Sequence, residues 1–156
     1  AMAEAAPWDR IARAYTDGYR DLFGHAAPLL ARLRARWQDE AWAATALYMD
    51  LLGRFADTHV ARKQGAEVAE AVRGRAAPLA RALTGSVDPR ACRDALLALD
   101  RDLKREGINP GTSADFTVAS LLILRLEPLG VQPFPITGSP RAHGPRARAL
   151  QTLLNL

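Results

Sequence analysis

Apolar residues recur every three or four positions along most of this chain, and no stretch alternates with the period of two that a half-buried strand requires. From Pro7 to Phe23, the positions Trp8, Ile11, Ala12, Tyr15, Tyr19, Leu22 and Phe23 fall at helical spacing, with Pro7 suited to the first turn and Gly24 read as the stop. The Tyr15, Tyr19, Phe23 stripe is expected to pack as core, because aromatics at i, i+4 are an ordinary helix contact. A short basic helix is predicted from Pro28 to about Trp37, and a longer one from Asp39 to about Phe55 with Ala43, Ala46, Leu47, Met49, Leu51 and Leu52 on its apolar faces.

A helix from about Ala66 to Leu83 follows, broken or kinked near Pro78, and Gly85-Ser86 marks a turn. Asp88-Pro89 opens the next helix in cap-then-proline order; Leu96, Leu97, Leu99 and Leu103 line its buried side, and Gly107 stops it. From about Thr112 to Leu126 the chain is apolar nearly all round, which places that helix at the centre of the bundle. Prolines 128, 133, 135, 140 and 145 then oppose regular structure until a short terminal helix at 147–154. The expected fold is all-α, a compact bundle of five to six helices over 1–127 with an extended Pro/Gly-rich tail over 128–156. Val131, Phe134 and Ile136 make that tail too apolar for an inert linker.

Composition narrows the function more than the fold. With 156 residues and 49% hydrophobic residues, one domain with a sizeable core is the default. The formal charge of +4 is concentrated in the tail, where Arg141, Arg146 and Arg148 stand without an acidic neighbour after Glu127. Aromatic residues make up 6% and are not interleaved with a basic stripe, which argues against nucleic acid as a partner. The lone Cys92 excludes an internal disulfide and reads as a packed residue of a reducing compartment. No segment matches a signal peptide or a membrane span, so the expected location is cytoplasmic, without a membrane partner.

Chemistry-bearing residues gather in two segments. In Asn109-Pro110-Gly111-Thr112-Ser113-Ala114-Asp115 the chain turns sharply just before a helix begins. The first N–H groups of that helix, with the hydroxyls of Thr112 and Ser113, form a candidate phosphate site. Asp115 would repel a bare phosphate unless a divalent cation lies between them, and Thr112 to Asp115 equally fits a T-x-x-D capping box. The second segment, Asp57 to Gly65, combines the carboxylate of Asp57, the imidazole of His59, the guanidinium of Arg62 and the ammonium of Lys63. Such a mixture suits a polyphosphate, with Arg62 and Lys63 on its oxygens and Asp57 on a bridging magnesium ion. His59 reads as a phosphate donor or an acid–base group, or else as a hydrogen-bonded structural residue.

The ordered segments P-W-D-R-I-A-R-A-Y-T-D-G-Y-R-D-L-F, D-T-H-V-A-R-K-Q-G and G-I-N-P-G-T-S-A-D-F-T-V-A-S-L together resemble the triphosphoribosyl-dephospho-CoA synthase family over about Pro7 to Leu126. The similarity is to the C-terminal half of that family, in a branch with a His-Arg-Lys motif. It implies an all-helical transferase that moves the triphosphoribosyl group of ATP to the ribose hydroxyl of 3′-dephospho-CoA or a related acceptor and releases adenine. It also implies magnesium, with Asp57 and Asp115 as metal-binding or charge-stabilising catalytic groups. Arg62 and Lys63 would take the triphosphate, and Asn109, Gly111, Thr112 and Ser113 the phosphate or ribose. Because the family's N-terminal motifs have no match here, the chain is expected to be a fragment or one chain of a split enzyme, associating with itself or with a chain that supplies the other half. The alternative is a noncatalytic helical partner that binds nucleotide.

Overall fold

In a computed structural model, Glu4 and residues 9–126 are described, and over them the chain is helical with no strand. The expected tail and terminal helix lie outside the described residues, as does Pro7; the helix expected to open there starts instead at Arg10, because Asp9 is extended and caps it. Within residues 9–126, seven α-helices follow one another: α1 Arg10–Thr16, α2 Ala27–Trp37, α3 Glu40–Arg54, α4 Thr58–Gln64, α5 Ala66–Gly85, α6 Arg93–Arg105 and α7 Gly111–Leu126. A π-helical turn over Leu22–Ala26 leads into α2, and a 3-10 turn over Pro89–Cys92 leads into α6. The all-α expectation holds, and the additional helix is α4, formed by the charged segment that follows α3.

Side-chain carboxylates start five of these elements. Asp9 accepts from Ile11 and Ala12 N–H, Asp39 from Trp42 N–H, Asp57 from His59 and Val60 N–H, and Asp88 from Arg90 N–H, each filling an orphan donor of a first turn. The fifth is α7, whose cap comes from a distant part of the chain, as described below. Gly18 at φ +69° and Tyr19 at φ +58° turn the chain after α1, and Tyr19 N–H reaches back to the Ala14 carbonyl at 2.8 Å. The first helix therefore ends at Thr16, about two turns earlier than expected, and Gly24 lies inside the π turn instead of stopping a helix. The widened turn closes with Ala27 N–H on the Leu22 carbonyl, directly before Pro28, a residue whose ring excludes a carbonyl four positions back.

The aromatic stripe is a contact ladder, with Tyr15–Tyr19 and Tyr19–Phe23 ring centroids 5.2 and 6.4 Å apart, but Tyr15 is 57% exposed and does not enter the core. Pro78 does not break α5, which runs unbroken from Ala66 to Gly85. Pro78 and Gly74, whose carbonyl loses its donor, both lie on the exposed side of the helix.

The centre of the bundle is α3 and not α7. Ala43, Ala46, Leu47 and Leu52 have no exposure, and α3 packs most extensively on α5 while also touching α2 and α7. Small residues set that packing distance: a Cβ built on Gly53 would stand 2.8 Å from the Ala77 Cα of α5. Helix α7 lies at the edge, with Phe116 and Ile123 turned inward while Val118 and Leu122 remain 64% and 56% exposed. An apolar residue on every side identified α7 as hydrophobic, but it did not determine which sides would be covered. In α6, Leu103 is buried and Leu96 and Leu99 pack against the core, whereas Leu97 is exposed. Cys92 is half-buried against the core, as expected of a packed residue.

The two helix-interior glycines separate close packing from backbone freedom. Gly53→Ala forces a methyl into the α5 backbone and should destabilise by about 1–3 kcal/mol. Gly74→Ala meets nothing within 4 Å and should stabilise by about 0.5–1 kcal/mol. Urea denaturation of both variants measures the pair, and equal shifts of one sign would contradict the close α3–α5 approach.

Candidate functional site

Between α3 and α4 the chain passes through Phe55-Ala56-Asp57, and Asp57 is only 2% exposed. Its Oδ1 accepts from the N–H groups of His59 at 3.0 Å and Val60 at 3.2 Å, closing the first turn of α4. Its Oδ2 accepts from Ser113 twice, from the backbone N–H and from the hydroxyl, both at 2.8 Å. One carboxylate thus caps two helices whose sequence positions differ by 56 residues. A second tie runs beside it. Thr58 Oγ1 and Thr112 Oγ1 are 3.0 Å apart, and the His59 N–H is shared with Thr112 Oγ1 at 3.2 Å.

This arrangement replaces the capping box expected at the start of α7. Thr112 bonds to α4 instead of its own helix, and the cap comes from Asp57 instead of Asp115. Thr112 and Ser113, expected to face phosphate, are both 6% exposed with their hydroxyls on protein partners. Asp57 has its acceptor positions filled by four donors, so its carboxylate fits a helix-bridging role and not an open magnesium ligand. Asp115 lies exposed just past the first turn of α7 and shares no hydrogen bond with Asp57. Among the described residues, no group of three or more His, Cys, Asp or Glu side chains is arranged to hold a metal ion.

Other expected residues do meet along the α4–α7 seam. The imidazole of His59 lies against Gly111, where an added Cβ would stand 3.2 Å from His59 Cγ. Arg62 Nη2 is 3.2 Å from His59 Nδ1. Because a guanidinium can only donate, Nδ1 accepts, and a neutral His59 carries its proton on Nε2. That Nε2 is buried with no hydrogen-bond partner. Arg62 Nη1 also lies 3.9 Å from Asp9 of the α1 cap. Lys63 and Asn109 are exposed, and Gln64 donates to the Gly107 carbonyl at 3.0 Å, tying the end of α4 to the turn before α7.

Two participants had no role assigned from the sequence. Arg10 stacks its guanidinium 3.1 Å over the Phe55 ring centroid and 5.0 Å from that of Phe116, donates to Asp21 at 3.0 Å, and has its backbone N–H 3.4 Å from Thr58 Oγ1. Burial lowers the pKa of Arg10, against the opposing effect of Asp21. Arg10 Nε and His59 Nε2 are the buried side-chain polar atoms without a partner among the described residues, and both belong to this junction. A cavity of about 10 Å³ between Arg10, Asp57 and Ser113 has room for at most one water. The second participant is the pair of His25 Nε2 and Asp50 Oδ2 at 2.6 Å, with Arg54 Nε 3.6 Å from the same oxygen. Residues 25 and 50 share no local pattern; the π turn packs on α2 and α7, and the fold thereby brings His25 within reach of Asp50 on α3.

The CitG family model, described as ATP:dephospho-CoA triphosphoribosyl transferase, matches residues 1–133. The chain belongs to this family. Membership makes the CitG-family chain a relative of transferases and agrees with the resemblance read from its three ordered segments. No curated protein and no solved structure matches it. Among the described residues, no helix is long and apolar enough to cross a membrane.

Asp57→Ala removes the cap of both α4 and α7 and should destabilise by roughly 3 kcal/mol. Asp57→Asn retains one acceptor oxygen but turns an NH2 toward the other helix's donors, so it should recover little of that loss. A chemical denaturation midpoint for Asp57→Asn equal to that of the unsubstituted chain would refute the double cap.

Burial, followed by the fields of Asp57 and Asp100, pushes Tyr48 up to about 12. Folding thus favours the neutral phenol. The resulting stability is fully present below the unfolded value near pH 10 and is lost as pH rises through about 12. Tyr48→Phe should flatten the fall in stability across that window, as measured by denaturation at stepped pH.

Proposed function

We propose that this chain takes part in ATP-dependent transfer of a triphosphoribosyl group to 3′-dephospho-CoA or a related acceptor, with release of adenine, in the synthesis of a cofactor or prosthetic group. The family match over residues 1–133 carries this reading. In the reaction, the acceptor hydroxyl oxygen forms a bond to C1′ of the ATP ribose, the bond from C1′ to adenine breaks, and the hydroxyl proton is matched by one taken up by the departing adenine. The protein's share is to hold the triphosphate and align the hydroxyl behind C1′, since a displacement at an anomeric carbon gains most from position and charge.

The roles follow the geometry at the α4–α7 seam. Arg62 and Lys63, both exposed, serve as the cations for triphosphate oxygens, and Asn109 offers its amide to phosphate or ribose. Gly111 leaves room for the His59 ring, so His59 is held by Gly111 and Arg62 beside those groups. Asp57, Thr112 and Ser113 act as positioning residues that hold the two helices together. A magnesium ion carried with the nucleotide would find its protein carboxylate in exposed Asp115 and would neutralise phosphate charge there. The location proposed for this chemistry is the cytoplasm.

A second reading is favoured by exposed Val118 and Leu122 on α7, an apolar pair that suits a contact with another chain or a second copy. In that reading the chain is a helical nucleotide-binding partner of a separate catalytic chain.

Incubation with ATP, 3′-dephospho-CoA and magnesium should release free adenine in step with a mass gain on the acceptor. Arg62→Ala with Lys63→Ala should lower kcat/KM by roughly 10–100-fold, the loss expected for charge-assisted phosphate contacts. ATP binding without adenine release would support the partner reading, and absence of both would sink the two together.

A further inference from the structure

A cavity of about 340 Å³ opens beside the junction, within the size range of small-ligand sites, and none of the site residues picked from the sequence lines it. Four guanidiniums do: Arg10 and Arg13 from α1, Arg54 from the end of α3 and Arg73 from α5. Three helices far apart in sequence thus direct cations to one hollow, and Thr58 adds a hydroxyl.

The lining also holds three carboxylates, and each is already engaged. Asp9 caps α1 through bonds from Ile11 and Ala12 N–H at 2.8 and 3.2 Å. Asp21 accepts from Arg10 at 3.0 Å. Glu70 forms a bidentate pair with Arg73. The Arg13 guanidinium makes no hydrogen bond or ion pair within the described residues, and Arg54 has only a 3.6 Å contact to Asp50 and a distant approach to the Phe55 ring. Arg10 registers this crowding. After burial, and against the pull of Asp21, the fields of Arg13 and Arg54 further lower its pKa. Asp21 and Glu70 offset Arg10 and Arg73, which leaves Arg13 and Arg54 as the lining cations without a lining acid as partner, and like charges so placed are stabilised by an anion from outside.

The number of oxygens decides which anion fits best. A carboxylate has two and is satisfied by a single arginine fork, whereas a phosphoryl group can accept from two guanidiniums and a hydroxyl at once. We propose that this cavity binds a phosphoryl group of a small phosphorylated ligand, with Arg13 and Arg54 as direct donors and the Thr58 hydroxyl as a third. Arg10, clamped between Asp21 and the Phe55 ring, and Arg73, clamped by Glu70, form its fixed walls. The assignment stands on the lining residues and not on the transferase reading, and it adds an anion locus distinct from Arg62 and Lys63.

Calorimetric titration of the full chain with inorganic triphosphate, and separately with citrate, tests it. Triphosphate should bind more tightly than citrate, and Arg13→Gln with Arg54→Gln should weaken it by about tenfold or more. Arg13→Lys with Arg54→Lys, which keeps the charge and loses the fork, should fall between the two. The charge-matched control Arg32→Gln with Arg101→Gln, at exposed positions outside the cavity lining, should change affinity by less than about twofold. Unchanged triphosphate affinity in Arg13→Gln/Arg54→Gln at an unaltered melting temperature overturns the proposal, as does citrate binding as tightly as triphosphate. Arginine-dependent binding in a chain that releases no adenine upholds this inference while the transferase reading fails. Adenine release with no Arg13- or Arg54-dependent binding does the reverse.

Discussion

The Asp57 carboxylate accepts four hydrogen bonds, two from the start of α4 and two from Ser113 of α7, while buried to 2% exposure. Each helix brings donors that its own turn cannot satisfy, and burial removes water as the alternative. The two N-termini are therefore held to one side chain. Thr58 and Thr112 meet because of it, His59 is placed over Gly111, and Gln64 reaches the turn at Gly107. The close approach of α3 and α5 at Gly53 supplies the rigid platform from which the loop bearing Asp57 leaves.

A division of labour among charged residues follows. Acids here are mostly consumed by structure: Asp9, Asp39, Asp57 and Asp88 cap helices, and Asp21 and Glu70 hold arginines. Several cations remain without such a commitment, among them Arg13 and Lys63. Exposed ion pairs such as Arg125 with Glu40 add little stability each, about 0–1 kcal/mol, so the arginines count more for what they present to a ligand than for what they stabilise. That imbalance is more informative than the formal charge of +4, whose excess the sequence places mainly in the tail.

Much of the helical framework was legible because it rests on local rules. Asp39 and Asp88 announced helix starts, Gly107 a stop at φ +67°, and the apolar spacing of α3 its buried faces. Other features were hidden. Pro78 reads as a break in any linear scan, yet α5 tolerates it where the abandoned carbonyl lies on the exposed side. The Asp57 to Gly65 cluster drew attention through its charges, which obscured that Asp57-Thr58 is itself a helix start. Arg10 lies in one of the family segments but had no role legible there, since its role comes from Phe55, Asp21 and Phe116, which lie elsewhere in the chain.

By itself the sequence determined the all-α class, most helix positions and, through three ordered motifs, the family. Those properties depend on neighbours within a few residues or on residue identity alone. Only the tertiary structure decided what the chemically suggestive residues do. Thr112, Ser113 and Asp115 look alike as a phosphate-binding turn, but a carboxylate 56 residues away takes Ser113, a threonine 54 residues away takes Thr112, and Asp115 is left facing solvent. A polar group's function depends on which partner reaches it first, and for a buried donor that partner is set by packing and not by sequence distance.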